Sequence, residues 1–364
     1  MHYIKFLKLP SYDAGSLTIK TKIAVTTDLG DDYFPNELPI QFDVLQSDVN
    51  EGRDATGAIA LSQTRQWSAG MRVLTVELKL TKSKVKSSST FRLRVSPGLS
   101  EFSSQFDIVD GVLVTPAVMP IVSERFHGGM DPAGDKPYVE RSIPLREHAE
   151  LSMWEETGDS IARHIWDGSV ALSGLIDLAS IGKSGISYLD HVVPLTGVKD
   201  KIQVIELGAG VGLAGLILAK VISRAHVLLT DVPEVEILVR KNAAANKLKN
   251  VDFKVNDWSK PTPDSIVATK WDLILISECT YNEDSIPDLV SNIVKLMTRS
   301  PDATIIVATK QRHENERLFS NLMAEKHFEI KEHIHALCPR NYVPGDLEDA
   351  DKVDIYTFTY IGDR

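Results

Sequence analysis

Only two cysteines, Cys279 and Cys338, occur in the 364 residues. No Cys-x-x-Cys pair or Cys/His cluster accompanies them, which argues against a disulfide framework and a structural zinc site. A reducing compartment follows, so a cytosolic protein is expected, with the nucleus also open. No apolar run approaches the roughly 20 residues that a spanning helix needs. The first ten residues alternate apolar side chains with lysines and lack the continuous apolar stretch of a signal peptide. No membrane partner is expected. Positive charge is in short supply as well: 40 Lys and Arg stand against 50 Asp and Glu, a net charge of −10. Phosphate neutralisation needs clustered Lys and Arg, so nucleic acid is not an expected partner. A lysine-bearing substrate is compatible with such a surface. No bound metal is expected, and the working expectation for oligomeric state is a monomer.

Apolar content of 43% is enough to build a core, and the length exceeds one ordinary domain. Residues 16–26, 72–80 and 91–95 are rich in β-branched side chains with partial period-two alternation, the pattern of strands. The polar, lysine-rich stretch 81–89 reads as a hairpin-like loop with solvated charges. No long helical period precedes about residue 145. A smaller β-rich domain, sandwich or barrel in type, is expected over 1–125. The Gly/Pro-rich passage 126–137 marks a linker, expected over 126–150.

From 151 to 364 the texture changes to α/β. Residues 157–179 place Ile161, Ile165, Leu172, Leu175 and Ile176 near helical spacing. Short apolar runs at 202–207, 226–230, 251–255, 271–277 and 303–309 alternate with helix-like stretches at 211–223, 232–246, 283–299 and 313–326. That alternation predicts βαβ units and a parallel sheet. Runs at 328–335 and 353–360 have only a loop between them, so they should pair antiparallel. The expected fold is a Rossmann-like sheet of seven strands, mostly parallel, with an antiparallel last strand.

The strand 202–207 feeds into Glu206-Leu-Gly-Ala-Gly-Val-Gly212. Gly208, Gly210 and Gly212 let the backbone turn sharply and approach a ligand closely, and the helix that follows offers free N–H groups. A dinucleotide fingerprint would place its third glycine at 213, where Leu213 stands. Glu206 sits at the strand end, and Asp231 ends the next strand, where it can bond two ribose hydroxyls. That combination suits a small nucleoside carrying a charged amino-acid tail. The bland alternative is a tight turn with no ligand. After the third strand, Asp257 can accept from an adenine amine and Trp258 can pack on its ring; a capping Asp and a rim Trp are the alternative. After the fourth strand come Ser277, Glu278, Cys279, Thr280 and Tyr281. Glu278 and Tyr281 fall at the centre of the carboxyl edge, where a transferred group should sit. Cys279 reads as a packing residue.

Taken together, these motifs, with Thr157-Gly158 and Ile165-Trp166-Asp-Gly168 upstream, resemble family 16 of the seven-β-strand methyltransferases. The resemblance covers about residue 145 to the end. It implies S-adenosylmethionine as cofactor and transfer of its methyl group to a protein side chain, most often a lysine of translation elongation factors or chaperones. It further implies that Glu206 and the glycines hold the methionine portion, Asp231 the ribose, Asp257 and Trp258 the adenine, and that Trp166 walls the cofactor; Ser277 is a further expected cofactor-binding residue. Glu278 and Tyr281 would face the acceptor. The usual family motif there is Asp-x-x-Tyr. This chain has Glu278-Cys-Thr-Tyr281, similar to relatives that act on histidine, so a histidine or a small-molecule acceptor stays open beside lysine. A catalytically inactive protein-binding module is a more distant alternative.

Overall fold

The computed structural model describes residues 1–48, 57–86, 88–98, 106–109, 111–127, 138–146, 148–157, 160–192, 201–311, 317–340, 347 and 350–362. Two sheets form the N-terminal region. Strands β1 (His2–Asp13), β2 (Thr18–Thr26), β3 (Leu38–Asp48), β4 (Ala58–Trp67), β5 (Leu74–Lys79) and β6 (Ser89–Pro97) supply most of it. Short strands follow: β7 (Asp107–Val109), β8 (Val112–Val114), β9 (Val118–Met119) and β10 (Ile121–Ser123), then β11 (Tyr138–Ile143) and β12 (Leu151–Glu156). One sheet runs β5-β2-β1-β9 and the other β12-β11-β10-β6-β3-β4. Inward-facing residues of both, among them Ile19, Ile23, Phe42, Trp67, Phe91 and Val95, share one buried core. The architecture is a sandwich, one of the two forms expected.

The region that follows contributes β13 (Ile202–Leu207), β14 (Ala225–Asp231), β15 (Val251–Val255), β16 (Leu273–Ser277), β17 (Thr304–Thr309), β18 (Phe328–Pro339) and β19 (Ala350–Tyr360). Its helices are α1 (Asp167–Ala179), α2 (Ser187–Val192), α3 (Leu213–Val221), α4 (Glu236–Ala245), α5 (Asp264–Val267), α6 (Ile286–Met297) and α7 (Arg317–Glu325). The sheet order is β15-β14-β13-β16-β17-β19-β18, and it continues through β8 to β7. Strands β13 to β17 are parallel, and β19 is antiparallel to both β17 and β18. The order reverses between β13 and β16, so their carboxyl ends open a crevice where ligands of such sheets bind.

Three expectations need correction. The helix read over 157–179 begins at Asp167: a single 3₁₀ turn at Ile161–Arg163 and extended backbone at His164 and Trp166 lie before it. Ile161 is exposed, so its helical spacing to Ile165 was coincidental. The stretch 81–89 is not a hairpin. β5 pairs with β2 while β6 lies between β3 and β10, so this loop crosses from one sheet to the other. The division at 125 and 150 also fails. Strand β11 lies inside the expected linker and pairs with β10 and β12, and β12 belongs to the sandwich and not to the region that follows. Gly158, residues 128–137 of the linker and the start of the helix expected over 313–326 lie outside the described residues.

The two regions interlock because the chain between Asp107 and Ser123 supplies strands to all three sheets in turn. β7 and β8 extend the large sheet, β9 pairs with β1, and β10 pairs with β6. The outer edge of β12 is covered by two asparagines one turn apart, Asn242 on α4 and Asn246 at its C-cap. Asn242 accepts from Trp154 N (2.7 Å) and donates to Trp154 O (3.0 Å). Asn246 accepts from Ser152 N (2.9 Å) and donates to Ser152 O (2.7 Å). Carboxamides here replace a neighbouring strand and blunt an edge that would otherwise recruit another chain. Asn242 also donates to Val211 O at 2.9 Å, which ties the same contact to the glycine loop.

Helix α1 is buried along nearly its whole length, packed against α3 and the large sheet. At its first residue, the buried Asp167 accepts from Tyr3 Oη (2.9 Å) and Lys310 Nζ (2.8 Å), and Lys310 also pairs with Asp351 at 2.7 Å. Burial pushes the Lys310 ammonium down, but the carboxylates of Asp167, Asp28 and Asp351 reverse the sign and hold it above its ordinary range. Removing one partner of a buried pair leaves the other charge uncompensated. Lys310→Met should therefore lower unfolding stability by about 3–5 kcal/mol, read from urea denaturation at neutral pH. A loss under about 1 kcal/mol would show that the pair does not hold α1 in place.

Candidate functional site

The crevice at the carboxyl ends of β13, β14 and β16 is a cavity of about 420 Å³. All eleven residues singled out in the sequence border it or its loops: Trp166, Glu206, Gly208, Gly210, Asp231, Asp257, Trp258, Ser277, Glu278 and Tyr281 line it, and Gly212 closes the glycine loop behind.

Gly208, Gly210 and Gly212 take φ values of 68°, 55° and 84°, which a side chain would oppose. Gly208 has a second reason to be glycine. A Cβ there would stand 2.4 Å from Cys279 Sγ and 3.1 Å from the Trp258 ring, so the loop packs directly on the edge of the fourth strand. Glu206 is buried and turned toward the start of α3, where its Oε2 accepts from Gly215 N at 2.9 Å. Asp231 accepts from Gly210 N (2.7 Å) and from its neighbour Val232 N (2.7 Å). The second strand thus clamps the glycine loop. Burial pushes the Glu206 carboxyl up to about 8 and that of Asp231 up to about 6, against the backbone donors that pull both down. Each is held as a site that gains from a cationic neighbour.

Asp257 is committed locally. It accepts from Ser259 N (3.1 Å) and Oγ (2.7 Å) and pairs with Lys260 at 2.8 Å. Asp257 thus closes a local turn, and no helix starts behind it as the capping alternative required. Trp258, by contrast, is packed with its Nε1 buried and without a partner, and Ser277 Oγ is in the same condition. A buried donor left unpaired costs about 1–3 kcal/mol, so two such atoms on one cavity wall mark a place built for a polar ligand.

Glu278 holds a positive φ of 54°, a conformation that non-glycine residues adopt at a cost of about 1 kcal/mol. Two contacts impose it. Its N–H continues the ladder to Ala308 O (2.9 Å), and its Oε1 accepts from Gly168 N (2.8 Å) at the start of α1. A Cβ on Gly168 would meet that carboxylate at 2.6 Å. Tyr281 is half-exposed at the mouth. Burial pushes the Cys279 thiol well above its ordinary range, which leaves it neutral and inert.

Several lining residues escaped sequence reasoning. Ile161, Ala162 and His164 come from the β12–α1 connection, and Asp284 and Asp288 from the entry to α6. The acidic cluster after Tyr281 was a usable signal; His164 had none, because only the packing of α1 brings it there. In all, six carboxylates line the cavity (Glu206, Asp231, Asp257, Glu278, Asp284 and Asp288), and among the described lining residues there is no lysine or arginine.

The model of a family described as lysine methyltransferase matches residues 145–326, half of the chain. A UPF0665 family protein of Schizosaccharomyces pombe is 28% identical over 335 residues, covering 88% of this chain and 93% of that protein. That match extends into the sandwich as well. Protein N-lysine methyltransferase METTL21A of Xenopus tropicalis is 25% identical over 211 residues, 57% of this chain and 82% of the relative. Protein-lysine N-methyltransferase EFM2 of Saccharomyces cerevisiae is 27% identical over 213 residues, 54% of this chain and 47% of the relative.

The buried Glu206 has a direct consequence for stability. Between its ordinary value of 4.5 and its folded value of about 8, the folded chain keeps a proton that the unfolded chain has lost. Stability contributed by this group is full below about 4.5 and is lost as pH rises through about 8. The urea midpoint of the ligand-free protein should therefore fall across this window, and Glu206→Gln should flatten the fall. An identical slope in the variant would show that Glu206 ionises freely in the folded state.

Proposed function

The chain belongs to the lysine methyltransferase family and is an S-adenosylmethionine-dependent methyltransferase, and from that premise we propose that its acceptor is a lysine side chain of a protein. The observation that carries this reading is a lining with six carboxyl groups and no lysine or arginine among the described lining residues. Such a wall attracts both a sulfonium cofactor with an amino-acid ammonium and a lysine ammonium. The relatives METTL21A and EFM2, both named as protein lysine methyltransferases, support the same acceptor.

The residues fit the cofactor. The open glycine loop, the clamped Asp231 and the unpaired Trp258 Nε1 and Ser277 Oγ supply a cradle with unmet polar groups. In the proposed arrangement Asp231 takes the ribose hydroxyls, Trp258 walls the adenine with Asp257 at its rim, and Glu206 with the loop serves the methionine end. Trp166 closes the other side. When bound, the sulfonium supplies a methyl group already activated for displacement.

What the chain itself must do is align and desolvate the acceptor. Good alignment is worth an effective molarity of about 10⁵ M or more. A lysine, with an ordinary pKa near 10.4, has to arrive or become neutral. Burial beside the Tyr281 ring favours the neutral amine, whereas the negative charge of Glu278 opposes it. Glu278 is therefore assigned to hold and orient the amine. Its anchoring by Gly168 N–H and its imposed backbone angle fix that orientation.

The test is incubation of purified protein and labelled cofactor with extract of cells that lack this protein. A labelled protein whose modified residue is identified as lysine by mass spectrometry is expected, with elongation factors and chaperones the first bands to sequence. Label confined to small molecules, or to histidine, would overturn the reading. In the same assay Asp231→Ala should show no cofactor binding by calorimetry. Tyr281→Ala should bind cofactor normally yet lose about a hundredfold or more in kcat, the scale set by misplacing a reacting group.

A further inference from the structure

Ten large apolar side chains are exposed among the described residues, and four of them, Leu7, Leu29, Ile161 and Tyr281, gather around two adjoining cavities. The first is the cavity described above. The second, of about 390 Å³, lies between the sandwich and the β12–α1 connection. Lys5 to Leu7 of β1, the turn at Asp28 and Leu29, and Glu155 and Glu156 of β12 form its sides. Ile161, His164 and Trp166 line both cavities, so the two share a wall and open beside one another.

The polar groups of this second cleft are largely satisfied from within. Arg141 forms its floor, buried and paired with Glu155, and it donates to Pro120 O (2.8 Å) and Ile4 O (3.1 Å). Lys5 Nζ donates to Asp28 O at 2.8 Å, and Glu156 pairs with Arg163 at 2.6 Å. What remains facing outward is apolar: Leu7, Leu29, Ile161 and the flank of Trp166. Across both cavities the lining carries nine carboxylates against Lys5 and Arg141, which is complementary to a basic segment. Exposed apolar surface of this kind, continuous with an active site and rimmed by charge, marks a contact surface.

We infer that this inter-sheet cleft docks the stretch of substrate protein flanking the acceptor lysine, with an apolar side chain of that stretch seated against Leu7, Leu29 and Ile161. The inference rests on the protein-lysine reading above and gives the sandwich a role in choosing the substrate. A single lysine side chain occupies only the mouth beside Tyr281; the second cleft takes the neighbour, and binding energy gained there holds the lysine in register.

The test uses full-length protein, labelled cofactor and a lysine-centred peptide library with the flanking positions varied. Wild type is expected to favour peptides with an apolar residue near the lysine. The double variant L7E/L29E should raise KM for those peptides by about tenfold or more, the discrimination that a contact of a few methylenes supplies. Its kcat and its calorimetric affinity for cofactor should stay within about twofold of wild type, and L7M/L29M should keep the preference. Leu29 lies in a turn outside every strand, so L29E alone tests the cleft without burdening β1, and it should move KM in the same direction. Peptides methylated without any apolar preference, or an unchanged KM in both variants, would overturn the docking assignment while leaving the lysine reading intact. If wild type labels neither library nor extract proteins, the lysine reading itself fails and the docking assignment with it.

Discussion

Asp167 has no exposed surface, yet two groups from opposite ends of the chain donate to it, Tyr3 of the first strand and Lys310 at the end of β17. It occupies the first turn of α1, where a negative charge is favoured by the free N–H groups of the helix start. The next N–H, that of Gly168, is the one that holds Glu278. A single buried charge cluster therefore fixes where α1 begins. That start fixes the carboxylate proposed to face the acceptor. Both the sandwich and the parallel sheet must be in place for the cluster to close.

The same interdependence appears on the cofactor side. Asn242 bonds both backbone groups of Trp154 on the edge of the sandwich and the carbonyl of Val211 in the glycine loop. Glu206 and Asp231 are each buried and bonded to backbone N–H groups, of Gly215 and Gly210. Carboxylates held this way cost stability as the pH rises, and a cationic ligand would offset that cost. The site is polarised in advance of binding, which is how an enzyme with little acid–base chemistry to perform contributes to rate.

The shared wall of Ile161, His164 and Trp166 gives the sandwich a functional meaning beyond support. It rises directly from the connection between the last strand of the sandwich and the first helix of the catalytic region. Tyr281 and this wall line the same cavity.

Motifs read from the sequence were local ones. A strand running into glycines, an acid at the next strand end and an aromatic after the third strand each depend on residues close in the chain, and period-two and helical spacing are local as well. The parallel order, the antiparallel pair at the end and the cofactor followed from them. Contacts between distant segments were not legible: Asp167 with Tyr3 and Lys310, the asparagines on the β12 edge, the passage of residues 107–123 through three sheets, and His164 at the cavity. Helical spacing at Ile161 and Ile165 even misled: a single 3₁₀ turn at Ile161–Arg163 and extended backbone at His164 and Trp166 take the place of the helix there. Sequence alone determined which cofactor this chain uses, since the motifs that point to it are short segments at strand ends. The cleft beside the cofactor site was decided only by tertiary structure, since it is assembled from strands and turns more than a hundred residues apart whose charges and edges can be satisfied only together.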